Sequence, residues 1–124
     1  MRGRLRLALL LLLALGTAAA CSSRRNRREA SFPPIQVHVE NLNFYDATVY
    51  LIWRSDRRRL GVVNGNGRQT FTSTWNGPDV TVEIELLAGR RYRGDTIGIS
   101  PGDDLVLEIP AANVDRLRVY RRAP

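Results

Sequence analysis

Val80-Thr81-Val82-Glu83-Ile84-Glu85-Leu86 alternates apolar and polar side chains without a break. Successive side chains of an extended strand leave opposite faces of a sheet. This period of two therefore sets Val80, Val82, Ile84 and Leu86 against a core and turns Thr81, Glu83 and Glu85 toward water. A helix would scatter the same residues around its circumference. Turn signals close the stretch at both ends, Asn76-Gly77-Pro78-Asp79 before it and Ala88-Gly89-Arg90 after it.

The same period runs outward in both directions. Toward the N-terminus, residues 68–75 form a threonine-rich strand. Asn64-Gly65-Asn66-Gly67 precedes it, and each Asn-Gly pair favours the positive φ angles of a type I′ turn, so a hairpin is expected back to residues 59–63. Residues 47–54 carry Val49, Leu51 and Trp53 on one face and Thr48, Tyr50 and Ile52 on the other, which predicts a central strand covered on both sides. Before it, Ile35, Val37 and Val39 alternate with Gln36, His38 and Glu40. Toward the C-terminus, residues 91–100 read as a strand interrupted at Gly94-Asp95 by a bulge or a crossing point. Pro101-Gly102-Asp103 is a tight turn, and Leu105, Leu107 and Ile109 form another inward row. Leu117 and Val119, set between Arg116, Arg118 and Tyr120, give a last strand whose edge is guarded by arginines.

Seven or eight short strands, with turn signals roughly every ten residues and no helical period, predict an all-β antiparallel sandwich of immunoglobulin or fibronectin type; a small β-barrel is the alternative. From Val37 to Ile109 the pattern resembles the small β-sandwich lipoproteins and Ig-like envelope modules of bacteria. That resemblance implies a fold and not an activity.

The N-terminus implies an address. Arg2, Arg4 and Arg6 precede an apolar run from Leu7 to Leu15, and Ala18-Ala19-Ala20 follows, as in a bacterial export signal. The run is too short for a bilayer, which takes about 20 residues. Ala18-Ala19-Ala20-Cys21 resembles the lipobox of bacterial lipoproteins, which implies lipidation at Cys21, the single cysteine. The three alanines also fit an ordinary A-x-A cleavage site. Both routes cut after Ala20 and differ in whether Cys21 becomes an anchor or a free thiol. Ser22, where the family carries aspartate in proteins retained at the inner membrane, implies passage to the outer membrane, facing the periplasm. The organisation expected is a signal peptide over residues 1–20, a lipid-attachment cysteine and tether over 21–34, and one domain over 35–124. The tether, SSRRNRREASFPP, carries Arg24, Arg25, Arg27 and Arg28, which suit either anionic headgroups or solvent.

The net charge of +7 lies mostly outside the domain: from Ser31 onward there are 12 arginines against 11 acids. Nearly neutral and exported, the domain does not read as a nucleic-acid binder. All 19 basic residues are arginine, a composition bias. Enzyme chemistry needs a nucleophile, a base or a metal held in place. His38 is the single histidine and takes an outward position, and no G-x-S-x-G elbow is present. Zinc has no ligand set, and Asp95, Asp103 and Asp104 fit turns better than calcium. No cofactor is expected. Arg93-Gly94-Asp95 spells an adhesion tripeptide in a chain rich in arginine and glycine.

Aromatic residues carry the remaining signal. Trp53 belongs to an inward row and reads as core. Trp75, at a strand end, and Tyr45 and Tyr50 near the first loop are the candidate contacts for a ligand or partner. Two functions follow: a non-catalytic lipoprotein that serves as accessory or adaptor to an envelope protein, or a glycan- or peptidoglycan-binding module that stacks sugars on Trp75 and the tyrosines.

Overall fold

The computed structural model describes residues 32–123. The export signal, Cys21 and the four tether arginines lie outside the described residues.

Among the described residues eight strands form: β1 (Ile35–Asn41), β2 (Ala47–Trp53), β3 (Asp56–Val63), β4 (Arg68–Ser73), β5 (Asp79–Leu86), β6 (Arg91–Gly98), β7 (Asp104–Ile109) and β8 (Arg118–Arg121), with a 3-10 turn at Val114–Arg116. They make two four-stranded sheets, β4-β1-β7-β8 (sheet A) and β3-β2-β5-β6 (sheet B). The sheets face each other as a sandwich and do not close into a barrel. The inward rows read from the sequence meet between them: Val37, Val49, Leu51, Val82, Ile84, Leu105 and Leu107 have no exposed surface. At about 25 cal/mol per Å² of apolar surface, this core is what holds a domain without disulfides.

Two pairings depart from a simple meander. β1 pairs with β7 in parallel, while the other five ladders are antiparallel. The hairpin expected at Asn64-Gly65-Asn66-Gly67 does not form: β3 and β4 belong to different sheets. The segment makes one turn, closed by Gly67 N–H to Asn64 C=O at 3.0 Å, with φ of 54° at Asn66, a positive φ at the third position as in a type II turn. It is held against the β1–β2 loop by Gly65 N–H to Asp46 Oδ1 (2.8 Å) and Asn66 N–H to Asn43 C=O (2.9 Å). The chain thus crosses over to pair β4 with β1. A Cβ at position 65 would run into the Phe44 carbonyl, so only glycine fits there.

The bulge expected in β6 is present: Val82 of β5 faces both Gly94 and Asp95, between the pairs Thr81–Thr96 and Glu83–Arg93. It brings Gly94 under Val119 of β8, with 2.8 Å between Val119 Cγ2 and a Cβ placed on the glycine, and this seals the corner between the sheets. Arg93-Gly94-Asp95 therefore lies within a strand and is not displayed on a loop. At the opposite corner, Arg58 donates to the Thr74 carbonyl and lies over the Trp75 ring.

β2 is central in sheet B, but among the described residues no second layer covers its outer face. Thr48, Tyr50 and Ile52 are half-buried under a mesh of charged side chains instead. Arg57 lies flat on Tyr50, 3.4 Å from the ring centroid, and donates to Glu83, which Arg93 reaches from the other side. Guanidinium planes stack on aromatic rings and so do the work of a covering layer.

Candidate functional site

Two surfaces stand out. One is the end of the sandwich where the β1–β2, β3–β4, β5–β6 and β7–β8 connections meet. It is organised by two buried asparagines. Asn41, with no exposed surface, ends β1 and donates through Nδ2 to the carbonyls of Tyr45 (2.9 Å), Asn64 (3.1 Å) and Val63 (3.3 Å). Its Oδ1 accepts from Asn43 N–H at 3.0 Å. Asn43 repeats the device: Oδ1 accepts from Tyr45 N–H, and Nδ2 donates to Ala111 and Pro110 carbonyls at 3.2 and 3.4 Å. Short polar side chains here replace a ladder that the turning backbone cannot make.

This scaffold holds large apolar side chains out in water. Phe44 is 80 % exposed and Leu87 77 %, with Tyr45 and Leu42 about half exposed. Phe44 and Tyr45 meet edge to face at 5.7 Å. Leu87 is tied to the same loop by its N–H to Asp46 C=O at 3.0 Å. Beside Leu42 lies a notch of about 310 Å³ lined by Pro110, Ala112, Asn113, Arg116 and Arg118. Single exposed apolar residues are ordinary, whereas a group of them on rigid loops is the composition of a contact surface.

The second surface is the outer face of sheet A. Cross-strand register sets Thr70, His38, Val106 and Tyr120 in one row across all four strands. His38 Nδ1 bonds Thr70 Oγ1 at 3.0 Å, and Nε2 faces Asp104 Oδ2 at 3.7 Å, beyond bonding distance. Nε2 is also shielded from solvent, so it is a buried polar atom with no hydrogen-bond partner among the described residues. Tyr120 donates to Glu108 Oε1 at 3.0 Å. That carboxylate, with some burial, raises the phenol pKa, so Tyr120 remains a donor. A groove of about 480 Å³ opens over His38, Glu40, Arg68, Thr70, Val106 and Arg122.

The sequence-expected contacts are not brought together. Trp75 is 5 % exposed, part of the core, and its indole N–H is bonded to Asp79 C=O at 3.1 Å. It presents no face to a sugar, which overturns its role as a stacking platform. Trp53, expected to be core, is only half-buried, with Arg54 over its ring. Tyr50 lies beneath Arg57 on sheet B, and only Tyr45 belongs to the loop end. Thr70 and Asp104 were missed as partners of His38. They lie 32 and 66 residues away in sequence, and only strand register joins them. Leu87 was missed because it sits within an apparently ordinary turn. Among the described residues no three of His, Cys, Asp and Glu gather as metal ligands do.

No family model and no curated protein sequence matches the chain. Among solved structures, the NMR structure of a protein from Eubacterium rectale is similar in fold, with a TM-score of 0.51 at 10 % identity over 77 % of this chain and 95 % of that one.

Proposed function

We propose that the mature chain is a lipid-anchored envelope protein: a non-catalytic, Ig-like sandwich held by an acylated Cys21 at the periplasmic side of the outer membrane. It serves as an adaptor whose loop end docks onto a folded envelope protein. Residues 1–20 act as the export signal and 22–34 as the tether, with Arg24, Arg25, Arg27 and Arg28 beside anionic headgroups.

The observation that carries this reading is the apolar loop end. β1 begins where the tether stops, at Ile35, and runs seven residues to Asn41, so the loop end lies about 20 Å from the point of attachment. That end of the domain is the one away from the point of attachment. The loops are already fixed by Asn41 and Asn43, so docking costs little ordering entropy, and Phe44 and Leu87 are suited to anchor in a partner's pockets.

A photo-reactive residue placed at position 44 in cells is expected to cross-link to one envelope protein, and the same residue at Thr96, on the outer face of sheet B, to none. Leu87→Ser is expected to reduce the cross-link roughly tenfold or more, the size of an interface anchor, while unfolding stability changes by about 0.5 kcal/mol or less, as for exposed sites. Equal labelling from positions 44 and 96, or none from either, would refute the docking reading. Intact mass separates the address from the docking. Acyl chains on Cys21, absent in Cys21→Ser, are expected on the mature chain, and an unmodified cysteine would refute the anchor alone.

A further inference from the structure

We infer that the groove on the outer face of sheet A is a saccharide-binding site, independent of the loop end. Charges of both signs meet in it and leave a neutral ligand as the best match. Arg68 and Arg122 stand in its wall, but Arg68 already donates to Glu40 (Nε to Oε1, 3.0 Å). Asp104 and Glu108 face the same surface from β7. Across this face an anion meets three carboxylates and a cation meets three guanidiniums, because Arg118 stands 3.8 Å from Glu108 at the side shared with the loop-end notch. A neutral ligand rich in hydroxyls meets neither obstacle, because each hydroxyl both donates and accepts.

The distances favour the same class. His38 Nε2 and Asp104 Oδ2 are 3.7 Å apart with nothing between them. Nδ1 is engaged by Thr70, and a carboxylate opposite Nε2 favours the proton there. One hydroxyl can accept from Nε2 and donate to Asp104, with both bonds at ordinary length, whereas an ionised phosphate oxygen can only accept. Asp104 is 40 % exposed, so its side chain can swing to admit the ligand without disturbing the ladder. Val106 gives the groove an apolar floor, and on the next strand Tyr120, 44 % exposed, offers a ring for the apolar face of a sugar. Sequence reasoning sought such a platform at Trp75, which is buried; the exposed aromatic beside convergent polar groups is Tyr120.

His38 is the single histidine, so its ring protons report on the groove without ambiguity. Titration of the full chain with the tetramer of N-acetylglucosamine is expected to shift the His38 ring signals saturably. Val106→Arg, which fills the floor from the wet face, is expected to weaken binding by at least about tenfold. Tyr120→Ala, an exposed change that leaves the core alone, should weaken it several-fold, and Phe44→Ser should leave it unchanged. His38 signals that stay still at about 10 mM tetramer, weaker than any useful affinity, would overturn the inference. So would shifts that persist in both groove variants, or that come from inorganic phosphate and not from the sugar.

Discussion

Asn41→Leu is expected to lower the unfolding free energy by about 3 kcal/mol, although it keeps the branched shape of the side chain. Asn41 has no exposed surface and its amide serves the carbonyls of Tyr45, Val63 and Asn64 while its oxygen takes the Asn43 N–H. A leucine takes the side-chain partner from the Tyr45 and Val63 carbonyls and from the Asn43 N–H, while the Asn64 carbonyl keeps Gly67 N–H, and each buried polar group left unpaired costs about 1 kcal/mol or more. Asn41→Asp is the sharper variant. It keeps the acceptor for Asn43 but turns a second oxygen toward three carbonyls and buries a charge, so it is expected to be at least as damaging as leucine. Urea unfolding of the two variants checks this. An aspartate tolerated better than leucine would mean that acceptance from Asn43 N–H, not donation to the carbonyls, is what the site requires. Because Asn41 also places the loops, cross-linking from position 44 should fall in a folded Asn41→Leu protein even though Phe44 is intact.

The contrast between Asn41 and the inward rows explains what could be read in the sequence. Alternation is local, so Val80 to Leu86 and each neighbouring run declared both strand and buried face. The Gly94-Asp95 bulge was legible for the same reason, being a break in a local period. Pairing is not local. Asn64-Gly65-Asn66-Gly67 has the composition of a hairpin, yet Asp46 and Asn43 capture its amides and send the chain to the other sheet. The tryptophans exchanged roles because parity gives the face of a strand but not its end. Trp53 has the parity of Leu51 but lies at the end of β2, paired to Asp56, while Trp75 follows β4 and folds inward. His38 was rightly set on the outer face, but its row with Thr70, Val106 and Tyr120 exists only once β4, β1, β7 and β8 are in register.

Glu83 yields the second large effect, and it sits on the strand that first declared the fold. Its parity points outward, yet it is 2 % exposed, because Arg57 and Arg93 close over it with bonds of 2.9 and 2.6 Å. Burial pushes the Glu83 carboxyl up, but the bonds from Arg93 and Arg57 outweigh it and hold the pKa below its ordinary value of 4.5. Glu83→Ala is expected to cost about 2 kcal/mol, below the range for a fully buried pair, because both arginines can turn to solvent and no stranded charge remains. Glu83→Met, which fills the space, should cost roughly 1 kcal/mol or less. The pH dependence separates charge from packing. A carboxyl whose folded pKa is depressed adds stability that is complete above its unfolded value, and that stability is lost as pH falls through the folded one. Wild type should therefore lose stability below pH 4.5 more steeply than Glu83→Met, and the two should converge in acid. Parallel pH profiles for the two proteins would show that Glu83 contributes only volume. The guanidinium layer over β2 would then be held by the Tyr50 stack and by Glu85, which lies 3.5 Å from Arg57 and 3.2 Å from Arg91.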